Sequence, residues 1–467
     1  MLSRSLHSRS RRVGPALAVA IAIAVAVGAG LAAADARAQA GDPGTCGPFA
    51  PAASDASGDA RAACAEPGLA PSASAPDVAG VTRLAAPRAP AGDATAIPGE
   101  ALVAIPKADD GALAPGFALA PGAEIASSFW SPVLCATVAR VRGPADAAPE
   151  ALVAALPPGA ALTAHSTYRA AAAEVRAFEP DAAGDPYRPH QYALTQLEAE
   201  RAWARSAGAG ATVALLDSLP EVAHRDLGRI VVAPAGDGER ASDEVGRVAA
   251  VHGTLMAGVV GAERGNGVGI AGVAPEARVV AIPVCAPSGD GGPDACALYD
   301  VLRGIDAAWE AGANVLNLSL VGPSNPLLER AVARAERLGA VVVAAAGNEG
   351  ADAPRYPAAY PSVLGVGAVD ARGERDARSN RGLSVDVVAP GVEVLSTRPP
   401  DGYAFGDGTS LAAAHVSGAV AVLVGAGIEP AAARALVEER AAGAPAAAPR
   451  LRSLCELLAR GGAPCPD

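Results

Sequence analysis

From Arg205 to about residue 370 the chain repeats one pattern: short, uninterrupted apolar runs bounded by turn residues. They are "ATVALLDS" (211–218), "RVVAIPV" (278–284), "NVLNLSL" (314–320), "AVVVAAAG" (340–347) and "SVLGVGAV" (362–369). A strand that is apolar at every position is covered on both faces. Helical stretches at 252–262, 297–311 and 325–338 lie between several of these runs. Strand and helix in alternation predict an α/β fold, a parallel sheet with helices on both faces. In such sheets functional groups collect at the carboxyl ends of the strands.

The chain has 467 residues, 51% of them apolar but only 3% aromatic, so its core must be built from Ala, Val and Leu. A net charge of −12 without a basic stripe argues against a nucleic-acid partner. At the start, Arg4, Arg9, Arg11 and Arg12 precede an uncharged stretch from Val13 to Ala34 and then Ala38-Gln39-Ala40. This reads as a cleaved signal peptide over 1–40, with a membrane anchor as the alternative, and predicts a secreted or periplasmic protein. Residues 41–95, rich in Ala, Pro, Gly and Ser, read as a linker.

Residues 96–178 change texture. "GEALVAIP" and "PVLCATVARV" read as strands, "AAPEALVAAL" (147–156) as a helix and "GAALTAHSTYRAA" (159–171) as a closing strand. The expectation is a small α+β unit of ferredoxin-like type, followed by an exposed linker at 179–189 and a second domain over 185–467.

The seven cysteines fall by spacing into Cys46/Cys64, Cys285/Cys296 and Cys455/Cys465, leaving Cys135 over. In an exported chain these can pair. Ten residues separate Cys285 from Cys296 across a Gly/Pro/Asp loop, short enough for local closure. There is no Cys-x-x-Cys unit, which argues against structural zinc.

Four polar residues stand at element ends. Asp217 ends an apolar strand, His252 opens a helix, Asn348 follows a buried strand, and Ser410 begins the apolar helix of "GDGTSLAAAHVSGAVAVL" (406–423). Each has an ordinary reading as a cap or turn former. Ser410 is either a helix cap or a nucleophile at a helix's positive end. Four such residues in one chain favour a shared site.

The contexts "VALLDS", "HGTLMAG", "AAAGNEG" and "GTSLAAAHVSG", in that order, resemble the subtilisin family of serine proteases over roughly 185–460. The resemblance implies Ser410 as nucleophile, His252 as general base, Asp217 as its orienting partner and Asn348 in the oxyanion hole, roles worked out in that family. It also implies a substrate-binding strand at Leu318, Ser319, Leu320, Val321 and Gly322, and a pocket wall at Ala345, Ala346 and Gly347. Leu219, Leu255, Ala414 and Val321 depart from the usual family residues, and Val321 adds a branched side chain at the edge of the primary pocket. Arg355 falls near the pocket floor, pointing either inward or to solvent. His415 is implied to be structural, and His190 and His224 read as surface residues. Asp226 falls where some relatives bind calcium; otherwise it is a solvated carboxylate, and no other cofactor is implied.

By placement, 96–178 matches an inhibitory propeptide, against a rival reading as a binding module. The expected protein is thus an exported serine endopeptidase, a monomer, cut from its own propeptide within 172–190 and acting on proteins or peptides. The alternatives are a maturation protease or transpeptidase of narrow specificity, or an inactive peptide-binding scaffold.

Overall fold

The computed structural model describes residues 96–106, 116–171, 174–178, 185–234, 250–287, 293–439 and 448–466. The expected signal peptide, the linker 41–95 and the Cys46/Cys64 pair lie outside these residues. Among the described residues no helix is long and apolar enough to cross a membrane.

The first strands are β1 (Ala96–Pro106), β2 (Ala118–Leu119), β3 (Glu124–Ser131), β4 (Ala136–Arg142), β5 (Val153–Ala155) and β6 (Ala161–Ala170). β1 pairs antiparallel with β4 and β6, and β3 with β4. Alternate residues of β1 face opposite ways, as a pleated strand requires. Ala101, Val103 and Ile105 build a small cluster with Val141 and Leu152, whereas Leu102 and Ala104 join the core beneath the helices Leu298–Glu310 and Pro326–Arg337. The helix expected at 147–156 is not formed. Pro149–Leu152 makes one 3-10 turn and β5 follows, pairing with β2. The segment is closed in by Pro144, Pro157, Pro158 and Gly159, too short for a stable helix.

After β7 (Glu174–Phe178) come β8 (Thr212–Ser218), β9 (Val231–Val232), β10 (Arg278–Cys285), β11 (Ala295–Ala297), β12 (Val315–Leu318) and β13 (Leu320–Val321). Next are β14 (Val341–Ala345), β15 (Val363–Val369), β16 (Val387–Pro390), β17 (Val394–Arg398) and β18 (Gly402–Asp407). Seven of them form one sheet in the order β16-β15-β14-β12-β8-β10-β9, with every adjacent pair parallel.

Its strands divide their side chains between two cores. Val213, Leu215, Val341 and Val343 face the helices Val251–Gly261 and Thr409–Gly425; Ala214, Leu216, Val342 and Ala344 face Leu298–Glu310 and Pro326–Arg337. This two-sided burial is why the strands read as continuous apolar runs. The helix Thr409–Gly425 is buried from Thr409 through Leu423, so it too is apolar all round.

Two pairings join the chain up to residue 178 to the later strands. β6 pairs antiparallel with β11 and with β13. β7 pairs with β18, which is itself paired with β17.

Candidate active site

Asp217 lies at the carboxyl end of β8, and its Oδ1 accepts hydrogen bonds from Ser218 N (2.7 Å) and Ser218 Oγ (3.2 Å). The helix that carries His252 begins beside it because Gly253 has no side chain. A Cβ at Gly253 would sit 2.1 Å from the Ser218 carbonyl oxygen. His252 Nδ1 thereby comes 2.7 Å from Asp217 Oδ1, and its Nε2 comes 3.1 Å from Ser410 Oγ. Ser410 is the second residue of its helix, at the end where backbone N–H groups point out unsatisfied. All three side chains are buried.

Burial of the His252 ring disfavours its charged form. The adjacent Asp217 carboxylate acts against this by charge and by hydrogen bond, and the net direction is upward from the ordinary value. Such a ring is a base strong enough to take a hydroxyl proton and is stabilised once it has done so.

Asn348 is latched to the serine helix. Its Oδ1 accepts from Thr409 N (2.9 Å), while Gly347 N donates to Thr409 Oγ1 (3.1 Å). Asn380 supports this loop from behind, donating to the Ala346 carbonyl (3.0 Å) and accepting from Glu349 N and Ala351 N. On the other side Asn317 donates to Ser319 Oγ (2.9 Å) and accepts from Ser417 Oγ (2.9 Å). Sequence reading missed Asn317 and Asn380, which support the site through hydrogen bonds to residues distant in the chain.

The cleft is occupied by the protein's own chain. β6 lies between two walls: β13, with Val321 opposite Arg169 and Leu320 opposite Ala170, and β11, with Cys296 opposite Tyr168. Ala171 N donates to the Ser319 carbonyl and Ala170 N to the Asp294 carbonyl, both at 2.9 Å. The Ala171 carbonyl oxygen accepts from Ser410 Oγ at 2.8 Å and lies 3.2 Å from His252 Nε2. Three residues upstream, Tyr168 is fully buried, and its hydroxyl donates to the Pro323 carbonyl (2.8 Å). Gly322 leaves room for that ring, since a Cβ there would lie 2.3 Å from Tyr168 Cδ1. Ser319 thus sits beside the serine, its Oγ donating to the Ser410 carbonyl (3.3 Å), with Leu318 buried just before it. Leu320 and Val321 pair with β6, and Gly322 makes room for the Tyr168 ring. Ala345, Ala346 and Gly347 are buried, directly preceding Asn348 in the chain. The second wall, Asp294–Ala297, was not foreseen; its one signal was the Gly/Pro loop between two cysteines.

That loop is closed by a Cys285–Cys296 disulfide, and the C-terminal end by Cys455–Cys465. Cys135, expected to be left over, is disulfide-bonded as well. Arg355 faces the Glu349 carboxylate at 3.6 Å. His415 Nδ1 donates to the Leu411 carbonyl (2.8 Å), and burial pulls its pKa down to about 4, so it is a neutral core residue.

His224, by contrast, is not at the surface. It is buried against the Tyr403 ring, with Nε2 2.8 Å from the Gly402 carbonyl. Nor is Asp226 solvated. Its carboxylate is fully buried and takes hydrogen bonds from Asn266 Nδ2 (2.8 Å), Ile270 N (2.9 Å) and the Tyr403 hydroxyl (2.8 Å). Proton donors occupy both oxygens, so these residues do not fit a calcium ion. Among the described residues no group of three or more His, Cys, Asp or Glu is arranged to hold a metal.

A hydroxyl set against a buried imidazole–carboxylate pair, at the rim of a parallel sheet, is the equipment of a serine hydrolase. Residues 208–452 match the subtilase family, Peptidase_S8. The chain is 39% identical over 259 residues to thermitase of Thermoactinomyces vulgaris, covering 55% of this chain and 90% of that protein. It is 38% identical over 239 residues to subtilisin DY of Bacillus licheniformis, covering 50% and 84%. A solved protease structure from Pseudoalteromonas arctica PAMC 21717 superposes with a TM-score of 0.51 at 27% identity, over 60% of this chain and 100% of that one. The chain belongs to the subtilase family and is a serine endopeptidase.

Proposed function

We propose that the protein is an exported zymogen that cuts its own chain after Ala171, leaving 96–171 as an inhibitory unit on the mature protease. The observation that carries this reading is the Ala171 carbonyl resting on Ser410 Oγ and His252 Nε2, delivered by a strand paired on both sides. This bond lies just before the segment 172–190 in which the sequence led us to expect cleavage, so residues 172–178, expected in the released unit, stay with the protease in this reading. In this reading Ser410 Oγ attacks the Ala171 carbonyl carbon as its proton passes to His252 Nε2, and Asp217 steadies the resulting imidazolium. Asn348 and the Ser410 N–H stabilise the oxyanion. His252 then hands the proton to the Ala172 nitrogen as the peptide bond breaks, and water hydrolyses the Ser410 ester. In trans the same steps cleave peptides and proteins laid along the same two walls.

The test is to compare the wild-type chain with Ser410→Ala. Wild type should yield a mature enzyme whose N-terminal sequence begins at Ala172. Ser410→Ala should fold, accumulate uncut beyond the signal peptide and resist labelling by a fluorophosphonate. Identical trimming of Ser410→Ala in the absence of other proteases would refute self-cleavage.

A further inference from the structure

The strand that leaves the site is as ordered in its pairing as the one that enters it. β7 begins three residues after Ala171 and runs antiparallel along β18, from Glu174 opposite Asp407 to Phe178 opposite Tyr403. β18 in turn leads directly into Ser410, three residues beyond Asp407. A chain departing from the serine therefore travels back along the strand that delivers the serine. β7 is the outer strand of three, in the order β17-β18-β7.

The other two strands are fixed to the body of the enzyme. Ser396 Oγ and Thr397 Oγ1 donate to the Leu255 and Thr254 carbonyls of the histidine helix, at 2.6 and 2.7 Å. Tyr403 is buried, its hydroxyl bonded to Asp226 (2.8 Å) and its ring edge-on to Tyr187 (4.7 Å) and His224 (5.2 Å). The β17–β18 hairpin is thus held in place independently of β7. A cut after Ala171 leaves β7 on the mature chain as its third to seventh residues, so substrate binding here requires that this new N-terminal segment lift off β18. The outer edge of β18 then offers a row of unpaired N–H and C=O groups, a template for one more strand.

We propose that the β18 edge is a second substrate-binding strand, which takes residues three to seven after the cut bond of an extended polypeptide by antiparallel backbone pairing. This rests on the reading of Ala171–Ala172 as the self-cleaved bond. Backbone pairing gives affinity with little side-chain selection. The favoured substrates are therefore long, unfolded segments rather than short peptides, and proline is disfavoured at alternate positions of the paired stretch because it has no N–H to offer.

The experiment uses the autoprocessed enzyme and two synthetic peptides from its own sequence. One spans 165–178 and carries seven residues after Ala171; the other stops at Ala173. Both should be cut after Ala171, the longer with kcat/KM higher by about tenfold, the gain expected from two or three net backbone hydrogen bonds. Single N-methylations along residues 174–178 of the long peptide should then lower kcat/KM at every second position, the signature of an antiparallel ladder. Equal kcat/KM for the two peptides, or a uniform response to N-methylation, overturns the β18 proposal and leaves the Ala171 reading standing. Cleavage of neither peptide after Ala171 overturns that reading and this proposal with it.

Discussion

Asp306, on the helix Leu298–Glu310, accepts a hydrogen bond from Ser131 Oγ at 3.0 Å, and the same carboxylate oxygen accepts from Val133 N at 3.1 Å. The donors are the last residue of β3 and a residue of the turn that follows it, so this carboxylate is sealed at the junction with the proposed inhibitory unit. Burial, reinforced by the nearby Glu310 charge and only partly relieved by the two hydrogen bonds, pushes its pKa up to about 8. Asp300, which faces Arg303 and Arg140, is pushed up to about 6 by burial.

Release of the unit returns Asp306 to water and to the ordinary carboxylate range, so the docked state binds the extra proton. Docking is then tightest at pH values below about 4 and weakens as pH rises to about 8, where the docked group also ionises. Incubation of the cut complex across that range should show progressively faster release of 96–171, read as onset of peptidase activity. Asp306→Asn, neutral throughout, should flatten the profile; an unchanged slope would sink the idea.

His252 must be neutral to accept the serine proton. Burial works against its charged form, but the Asp217 carboxylate outweighs burial, and the net shift is upward from 6.5. The acid limb of kcat/KM should therefore have its midpoint above 6.5. Asp217→Asn removes the charge that raises it, so the limb should move to lower pH while turnover falls steeply. A pH–rate profile of both enzymes decides this.

Asn348 is held by its own carbonyl oxygen against Thr409 N. Asn348→Ala should fold normally and lose about 10²–10³-fold in kcat with little change in KM. That is the size of effect known for the oxyanion-hole asparagine of subtilisin itself. A comparable rise in KM with kcat intact would point instead to a role in holding substrate.

The disulfide Cys285–Cys296 ties one cleft wall to the end of β10. Replacing both cysteines by alanine should cost about 2–3 kcal/mol from loop entropy alone. It should also lower kcat/KM for peptides that reach Asp294–Ala297 more than for single-residue esters. Denaturant unfolding and a pair of such substrates separate the two effects.

Val321 pairs with Arg169, two residues before Ala171, and the residue seated at the serine is the small Ala171. The family resemblance implies that the branched Val321 side chain narrows the pocket for the residue before the cut bond. Wild type should prefer Ala over Phe or Tyr before the cut bond, and Val321→Gly should extend cleavage to the aromatics. A peptide-library digest with both enzymes would show it.

Much of this was legible locally. The continuous apolar runs became β8, β10, β12, β14 and β15, because a parallel sheet covered on two faces needs apolar residues at every position. Asp217, His252, Asn348 and Ser410 could be picked out because polar residues at the ends of buried elements are conspicuous. What escaped was set by distant backbone. β11 is three residues long and exists because β6 and the Cys285–Cys296 bridge hold it. His224 and Asp226 are buried by Tyr403, 179 and 177 residues further along, a relation with no periodic trace. The segment 147–156 has helical spacing, yet prolines and its pairing with β2 prevailed.

The unbroken chain from β6 to the serine has one more consequence, and it concerns time. A bond already lying on Ser410 Oγ in its own molecule meets a concentration of nucleophile set by tethering, not by the amount of protein made. Under the proposed self-cleavage, maturation by that bond would be a first-order event, and each molecule would keep its own clock. A protein diluted into the medium as it leaves the cell would ripen at the same rate as one still crowded among its copies.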